Sequence, residues 1–218
     1  MLTQKTLVTA AAIAMAPMAA FAGSVEISGY VAGNVIYDND LNKTDDYIDA
    51  ELTGTYSFEN GFYAGANLYF DGSLTTDDVE TSIFVGFAND ISDKASYDLS
   101  IANYWYNDTA SAVFYDVTLG LMYAVSDAVG ATLEFNVAPD LTNTYDHNLA
   151  LEIGLDKWTV IPTFGIANDG TGEVSYGELE FIYDFGKGLY AEVDVYDDDA
   201  SLPTIGVYLG YEFTLFAS

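Results

Sequence analysis

Cysteine is absent from this 218-residue chain, so it has neither a disulfide framework nor a thiolate metal site. Arginine is absent too, and the only bases are Lys5, Lys43, Lys94, Lys157 and Lys187, set against 34 acids for a formal charge of −29. So acidic a chain is no nucleic-acid binder, because neutralising phosphates requires bases. A single histidine, His147, rules out a multi-histidine metal centre. Beyond the first 22 residues acids interrupt every apolar stretch, which leaves no segment long enough for a spanning helix.

The first 22 residues hold no acid and read as a secretory signal peptide cleaved after Ala22. Lys5 is their only charge, Leu7 to Met15 is apolar, Pro17 ends the run, and Ala20-Phe21-Ala22 is a small-x-small cleavage site before Gly23. The predicted organisation is therefore a signal peptide, 1–22, and one domain, 23–218. An exported chain with no later spanning helix crosses a membrane, if it crosses one, with strands.

What the sequence does have is alternation. In the last segment Val207, Leu209, Tyr211, Phe213 and Leu215 share one face, and Tyr208, Gly210, Glu212, Thr214 and Phe216 the other. Twelve such segments are predicted: 25–37, 47–58, 62–71, 79–89, 95–106, 111–124, 129–138, 147–155, 158–167, 174–184, 189–196 and 204–216. Each has about the length a tilted strand needs to cross a bilayer, and the number is even, as bacterial barrels require. Short turns such as Glu59-Asn60-Gly61 and Asp156-Lys157 alternate with longer aspartate-rich loops such as Asp38 to Asp46 and Asp197 to Pro203. The fold expected is an all-β, antiparallel, up-and-down transmembrane barrel with short periplasmic turns in the bacterial outer membrane. Its partners would be the lipid bilayer, lipopolysaccharide and the barrel-assembly machinery, in an oligomeric state the sequence leaves open.

Parity assigns the faces. The outward set includes Val31, Leu52, Leu68, Ile83, Val85, Leu99, Leu133, Leu149, Phe164, Phe181 and Val193, none of them charged. Outward aromatics gather at strand ends, with Tyr56, Phe58, Phe62, Phe87, Tyr97, Tyr123, Trp158 and Tyr183 near the short turns and Tyr37, Phe70 and Trp105 near the other rim. This is the distribution of two interfacial girdles.

The inward set carries Glu26, Asp49, Glu51, Glu80, Asp98, Asp116, Glu134, Glu152, Glu178, Glu180, Glu192, Asp194 and Glu212, with no lysine, and tyrosines including Tyr30, Tyr69 and Tyr104. Two carboxylates ~7 Å apart at an effective dielectric of 20 repel by about 2 kcal/mol, so such a lining is hydrated, partly protonated or matched by cations. Twelve strands spaced ~4.8 Å apart and tilted about 40° give a backbone radius of about 12 Å, and inward aromatics narrow the passage. The expected function is a narrow, water-filled, cation-selective pore for small solutes lined by these acids and tyrosines. A non-conducting structural or adhesive barrel keeps the same fold. A soluble sandwich would turn the acidic face outward instead.

Signals for chemistry are weak, and the chain does not read as an enzyme. His147 lies beside an outer loop with no serine marked near it, and the spacing of Glu178 and Glu180 arises simply from alternate positions on a polar face. Asp38-Asn39-Asp40-Leu41-Asn42 begins like a calcium loop, with Asp46 and Asp49 at the ninth and twelfth positions. Lys43 stands where such a loop needs glycine, and the twelfth position is not glutamate. Asp38, Asp40, Asp45 and Asp46 are thus candidates for loosely held Ca2+ or Mg2+ rather than ligands of a specific site. No other cofactor is implied. Among the outer loops only Lys43 can meet lipopolysaccharide phosphate, which predicts divalent bridging at Asp40, Asp45, Asp77, Asp78, Asp198 and Asp199.

The stretches Gly61-Phe62-Tyr63-Ala64-Gly65-Ala66, Glu80-Thr81-Ser82-Ile83-Phe84-Val85-Gly86-Phe87 and Ala95-Ser96-Tyr97-Asp98-Leu99-Ser100 with Tyr104 resemble a family of small secreted bacterial proteins of unknown function (Gcw_chp-like). The opening Val25-Glu26-Ile27-Ser28-Gly29-Tyr30 looks like the first strand of small Gram-negative porins. The resemblance implies an outer-membrane barrel and carries over no catalytic residue. Where porins fold a long third loop into the lumen, this chain has only Asn107 to Ala110.

Overall fold

The computed structural model describes residues 23–72, 79–106 and 114–217. The expected signal peptide, 1–22, lies outside the described residues, as do 73–78, with Asp77 and Asp78, and 107–113.

Alternating β-branched, aromatic and small polar residues form twelve strands among the described residues: β1 (Ser24–Asp38), β2 (Lys43–Ser57), β3 (Phe62–Gly72), β4 (Val79–Ser92), β5 (Ala95–Tyr106), β6 (Phe114–Ser126), β7 (Val129–Ala138), β8 (Thr144–Leu155), β9 (Trp158–Asp169), β10 (Glu173–Gly186), β11 (Leu189–Asp198) and β12 (Thr204–Ala217). Each strand pairs with its neighbours in sequence, and β1 pairs antiparallel with both β2 and β12, which closes the barrel and leaves no sheet edge.

The barrel is inside out. Asn34, Thr163 and Glu180 are among the most buried side chains, at 2 %, 2 % and 4 % exposure, whereas Phe164 and Leu209 are 65 % and 58 % exposed. Along β4, Glu80 and Ser82 are buried while Ile83 and Val85 are exposed, as the parity predicts. An apolar outside this continuous is what a hydrocarbon solvent calls for. Aromatic pairs mark the short-turn rim: Phe62 faces Phe87 across strands with ring centroids 4.8 Å apart, and Trp158 faces Tyr183 at the same separation.

Among the described residues register departs from simple alternation at five bulges, and four lie at the short-turn end. There the ladders pass over Ile91, Val125, Phe185 and Leu215, each an exposed apolar residue. The bulge at Leu215 corrects one expectation. It sets Phe216 opposite Ile27 rather than leaving it on the inner parity with Glu212 and Thr214.

The outer connections are tighter than the sequence suggests. The stretch expected as a loop, Asp38 to Asp46, is a short turn, because β2 begins at Lys43 instead of residue 47. Asp38 N–H donates to Asn42 O at 3.0 Å and Leu41 N–H to Asp38 O at 3.0 Å, with Leu41 at φ 61°. The charged residues Lys43, Asp45 and Asp46 extend the hairpin because exposed strand ends tolerate them.

Candidate functional site

The inner face gathers the candidate residues into one continuous lining. Asp49, Glu80, Glu180 and Asp194 are buried; Tyr30, Glu51, Tyr69, Asp98, Tyr104, Asp116, Glu134, Glu178 and Glu192 are half-buried; Glu26, Glu152 and Glu212 are more open, towards the short-turn end. All four described lysines are exposed, Lys43 at the start of β2 and Lys94, Lys157 and Lys187 in the short turns. Among the described residues, then, no lysine neutralises the lining.

Glycines determine how the large inward rings lie. Tyr63 stands opposite Gly86, Phe84 opposite Gly65, Tyr176 opposite Gly165 and Tyr190 opposite Gly210. At each of these glycines a Cβ would collide with the facing ring. The rings therefore lie along the wall instead of across the lumen, and the narrowing expected from them is correspondingly reduced. Tyr104 and Phe114, cross-strand partners on β5 and β6, stack on each other at 4.8 Å and 12°.

Hydrogen bonds then partner the acids over much of the circumference. Asn34 Nδ2 donates to Asp49 Oδ2 at 2.5 Å, and Tyr63 OH to Asp98 Oδ1 at 2.6 Å. Asn136 Nδ2 donates to Asp116 Oδ2 at 3.2 Å and to Thr118 Oγ1 at 2.8 Å. Thr53 Oγ1 donates to Glu51 Oε1 at 2.8 Å. A cavity of about 210 Å³ opens between β3 and β8, lined by Tyr63, Asp98, Thr118, Met122, Glu134 and Glu152 among others.

Several of these partners are not conspicuous in the sequence. Asp146 falls in a loop when β8 is started at residue 147, yet the strand begins at Thr144 and Asp146 Oδ1 accepts from Tyr176 OH at 2.8 Å and Asn148 Nδ2 at 3.3 Å. Its even parity with Asn148 and Glu152 is the available signal. Asn34, Asn67 and Asn136 carry the same signal, being polar residues at inward positions.

The acids of β10 and β11 are arranged differently. Glu180 directly faces Asp194, and Glu178 and Glu192 lie diagonally on the same face. Residues opposed this way have Cβ atoms about 5 Å apart, and two charges at that distance repel by about 3 kcal/mol at an effective dielectric of 20. Tyr208 engages Asp194.

The calcium-like stretch does not form a metal cage. Asp38 Oδ1 accepts from the backbone N–H groups of Asp40 at 3.0 Å and Asn42 at 2.8 Å, and Asn42 Nδ2 donates to both its oxygens. These bonds hold the Asp38 carboxyl below the ordinary carboxylate range. Asp46 is taken by Lys43 Nζ at 2.6 Å. Among the described residues no three histidines, cysteines or acids converge on a metal-sized position. His147 lies on the outward face, stacked on Tyr145 at 5.0 Å and against Phe135 at 5.3 Å.

Comparison with solved structures defines the class of fold. The KdgM porin superposes with a TM-score of 0.60 at 13% identity, covering 84% of this chain and 99% of that one. The same porin in complex with disordered oligogalacturonate gives 0.60 at 12% identity, with 86% and 99% covered. A mutant of the Rh. blastica porin gives 0.50 at 13% identity, with 87% and 100% covered. At these identities the likeness is one of fold, a closed antiparallel barrel. No protein-family model matches the chain, and no curated protein sequence does either.

Proposed function

We propose that this chain is an outer-membrane, porin-like channel that passes small cations through a narrow, hydrated lumen. One observation supports this most strongly: an inner face rich in carboxylates with no lysine on it among the described residues, inside a barrel whose outer face is apolar. Glu26, Tyr30, Asp49, Glu51, Tyr69, Glu80, Asp98, Tyr104, Asp116, Glu134, Glu152, Glu178, Glu180, Glu192, Asp194 and Glu212 line the path in this reading. A lumen of one sign raises the local concentration of counter-ions and repels co-ions. The tyrosines laid flat on glycines keep the path open.

Residues 1–22 direct export, and the bilayer, lipopolysaccharide and the barrel-assembly machinery are the partners this reading requires. The charge also bears on solute class. One solved porin of the same fold holds oligogalacturonate, a polycarboxylate that would meet like charge throughout this lumen. Acidic oligosaccharides are therefore poor candidates here, and alkali cations or small amines good ones. No step of catalysis is assigned to the barrel.

Planar-bilayer recording of the purified barrel tests the proposal. Stepwise current increases on insertion support it, and a folded, inserted barrel that carries no current contradicts it in favour of a structural role.

A further inference from the structure

Along the wall formed by β10 and β11, three carboxylate oxygens are buried without donors among the described residues. Elsewhere Asp98, Asp116 and Asp146 take hydroxyl or amide groups from neighbouring strands. Here Glu180 is 4 % exposed and Asp194 8 % exposed, and Glu178 Oε2, Glu180 Oε1 and Asp194 Oδ1 are buried with no hydrogen-bond partner. Glu180 and Asp194 are directly opposed, with Glu178 and Glu192 at the flanking inward positions. Gly206, opposite Asp194, has no Cβ, and Asp194 Oδ1 and the Tyr208 ring fill the space that one would take. Among the described residues, then, the four acids face no opposite charge, and three of their oxygens lack donors.

A hydrated divalent cation supplies both. We propose that Glu178, Glu180, Glu192 and Asp194 hold one hydrated ion of the Mg2+ class inside the lumen. Since no three acids converge at direct coordinating distance among the described residues, the ion keeps its water. Mg2+ dehydrates reluctantly, and its bound waters present O–H donors to the unpartnered oxygens. An alkali cation carries half the charge and orients its waters less firmly. The inference rests on the reading of the lumen as hydrated and cation-preferring, and it adds a position and an ion class to that reading.

Mn2+ serves as the probe, its free concentration read by electron paramagnetic resonance on the full barrel refolded in zwitterionic detergent. The wild type is expected to bind one ion that Mg2+ displaces, and E180Q/D194N to weaken that binding at least tenfold. D40N/D45N, in the outer hairpin, is expected to leave it unchanged. Should E180Q/D194N fail to fold, E178Q/E192Q reads the same site. Unchanged binding in the lumenal variant, or loss only in the hairpin variant, overturns the inference, as does acid pairing through shared protons with no Mn2+ bound. In bilayers Mg2+ should reduce the KCl current of the wild type and not of E180Q/D194N. A barrel that binds Mn2+ here but passes no current contradicts the channel reading alone, whereas a cation-preferring current without this Mn2+ site contradicts the inference alone.

Discussion

Tyr63 on β3 donates its hydroxyl to Asp98 Oδ1 on β5 at 2.6 Å, spanning the strand that separates them. The bond is possible because the ring crosses Gly86 of β4, where any side chain would collide with it. One glycine thus sets the position of an aromatic ring, the partnering of an acid and the width of the lumen.

Replacing Gly86 by valine should lift the Tyr63 ring off the wall. Overpacking of this kind costs about 1–3 kcal/mol, and the displaced ring should also lower single-channel conductance. Tyr63→Phe should cost about 1.5–3 kcal/mol through loss of a bond to a charged acceptor, with little change in conductance. Urea titration followed by gel migration of the folded barrel, together with conductance of both variants, checks the pair. Equal conductance in Gly86→Val and wild type would contradict the packing account.

Arginine at an outward position should be penalised according to depth. Val85, 53 % exposed, lies in the middle of β4, and Ile91, 65 % exposed, is a bulge residue at its short-turn end. Val85→Arg should destabilise the barrel in lipid vesicles by about 2–4 kcal/mol, and Ile91→Arg by about 0–1 kcal/mol. On a barrel whose apolar face met water instead of lipid, both substitutions would be nearly harmless. Equilibrium unfolding in vesicles distinguishes the two cases.

The turn after β1 should loosen in acid. Hydrogen bonds from Asn42 hold the Asp38 carboxyl below its ordinary range, so the folded turn binds its proton less readily than the unfolded chain does. Its contribution is therefore full above the unfolded carboxylate value, about 4, and disappears as pH falls through the lower folded value. The protection factor of the Asn42 amide should fall as pH drops below about 4, and Asp38→Ala should lower it at neutral pH. A protection factor that does not change with pH would remove the carboxylate from the account.

Divalent cations should also act at the outer rim. With Lys43 occupied by Asp46, the acids of the outer connections, among them Asp40, Asp45 and Asp199, have no free base nearby, among the described residues, to help them meet lipopolysaccharide phosphate. Bridging ions would do so, and ligand linkage then requires the melting temperature in lipopolysaccharide-containing membranes to fall in chelator. A melting temperature indifferent to chelator would exclude bridging.

Most of the architecture was legible in the sequence because a barrel in lipid repeats one rule, apolar outward and polar inward, on every strand. Ten of the twelve strand starts fall within three residues of the structure's, the start expected at residue 111 lies outside the described residues, and β2 is the exception because charged residues at exposed strand ends resemble a loop. The reversal of Phe216 was not legible, since one extra residue at Leu215 shifts parity without any compositional mark. In the lining, the acids themselves were legible, but their partners were not. Whether Asp98 is bonded and Glu180 Oε1 is not depends on which glycine or tyrosine the register places opposite, and register is a relation between strands. The family resemblance spans β3 to β5, where glycines and aromatics alternate, and the structure gives that alternation a packing reason at Gly65 and Gly86.

The most direct measurement of the central claim is the zero-current potential of the reconstituted barrel across a KCl gradient. A carboxylate lining without bases predicts the sign set by K+ moving down its gradient, and a decline of that potential as the acids are protonated at low pH. A potential of the opposite sign, set by Cl−, would contradict the account.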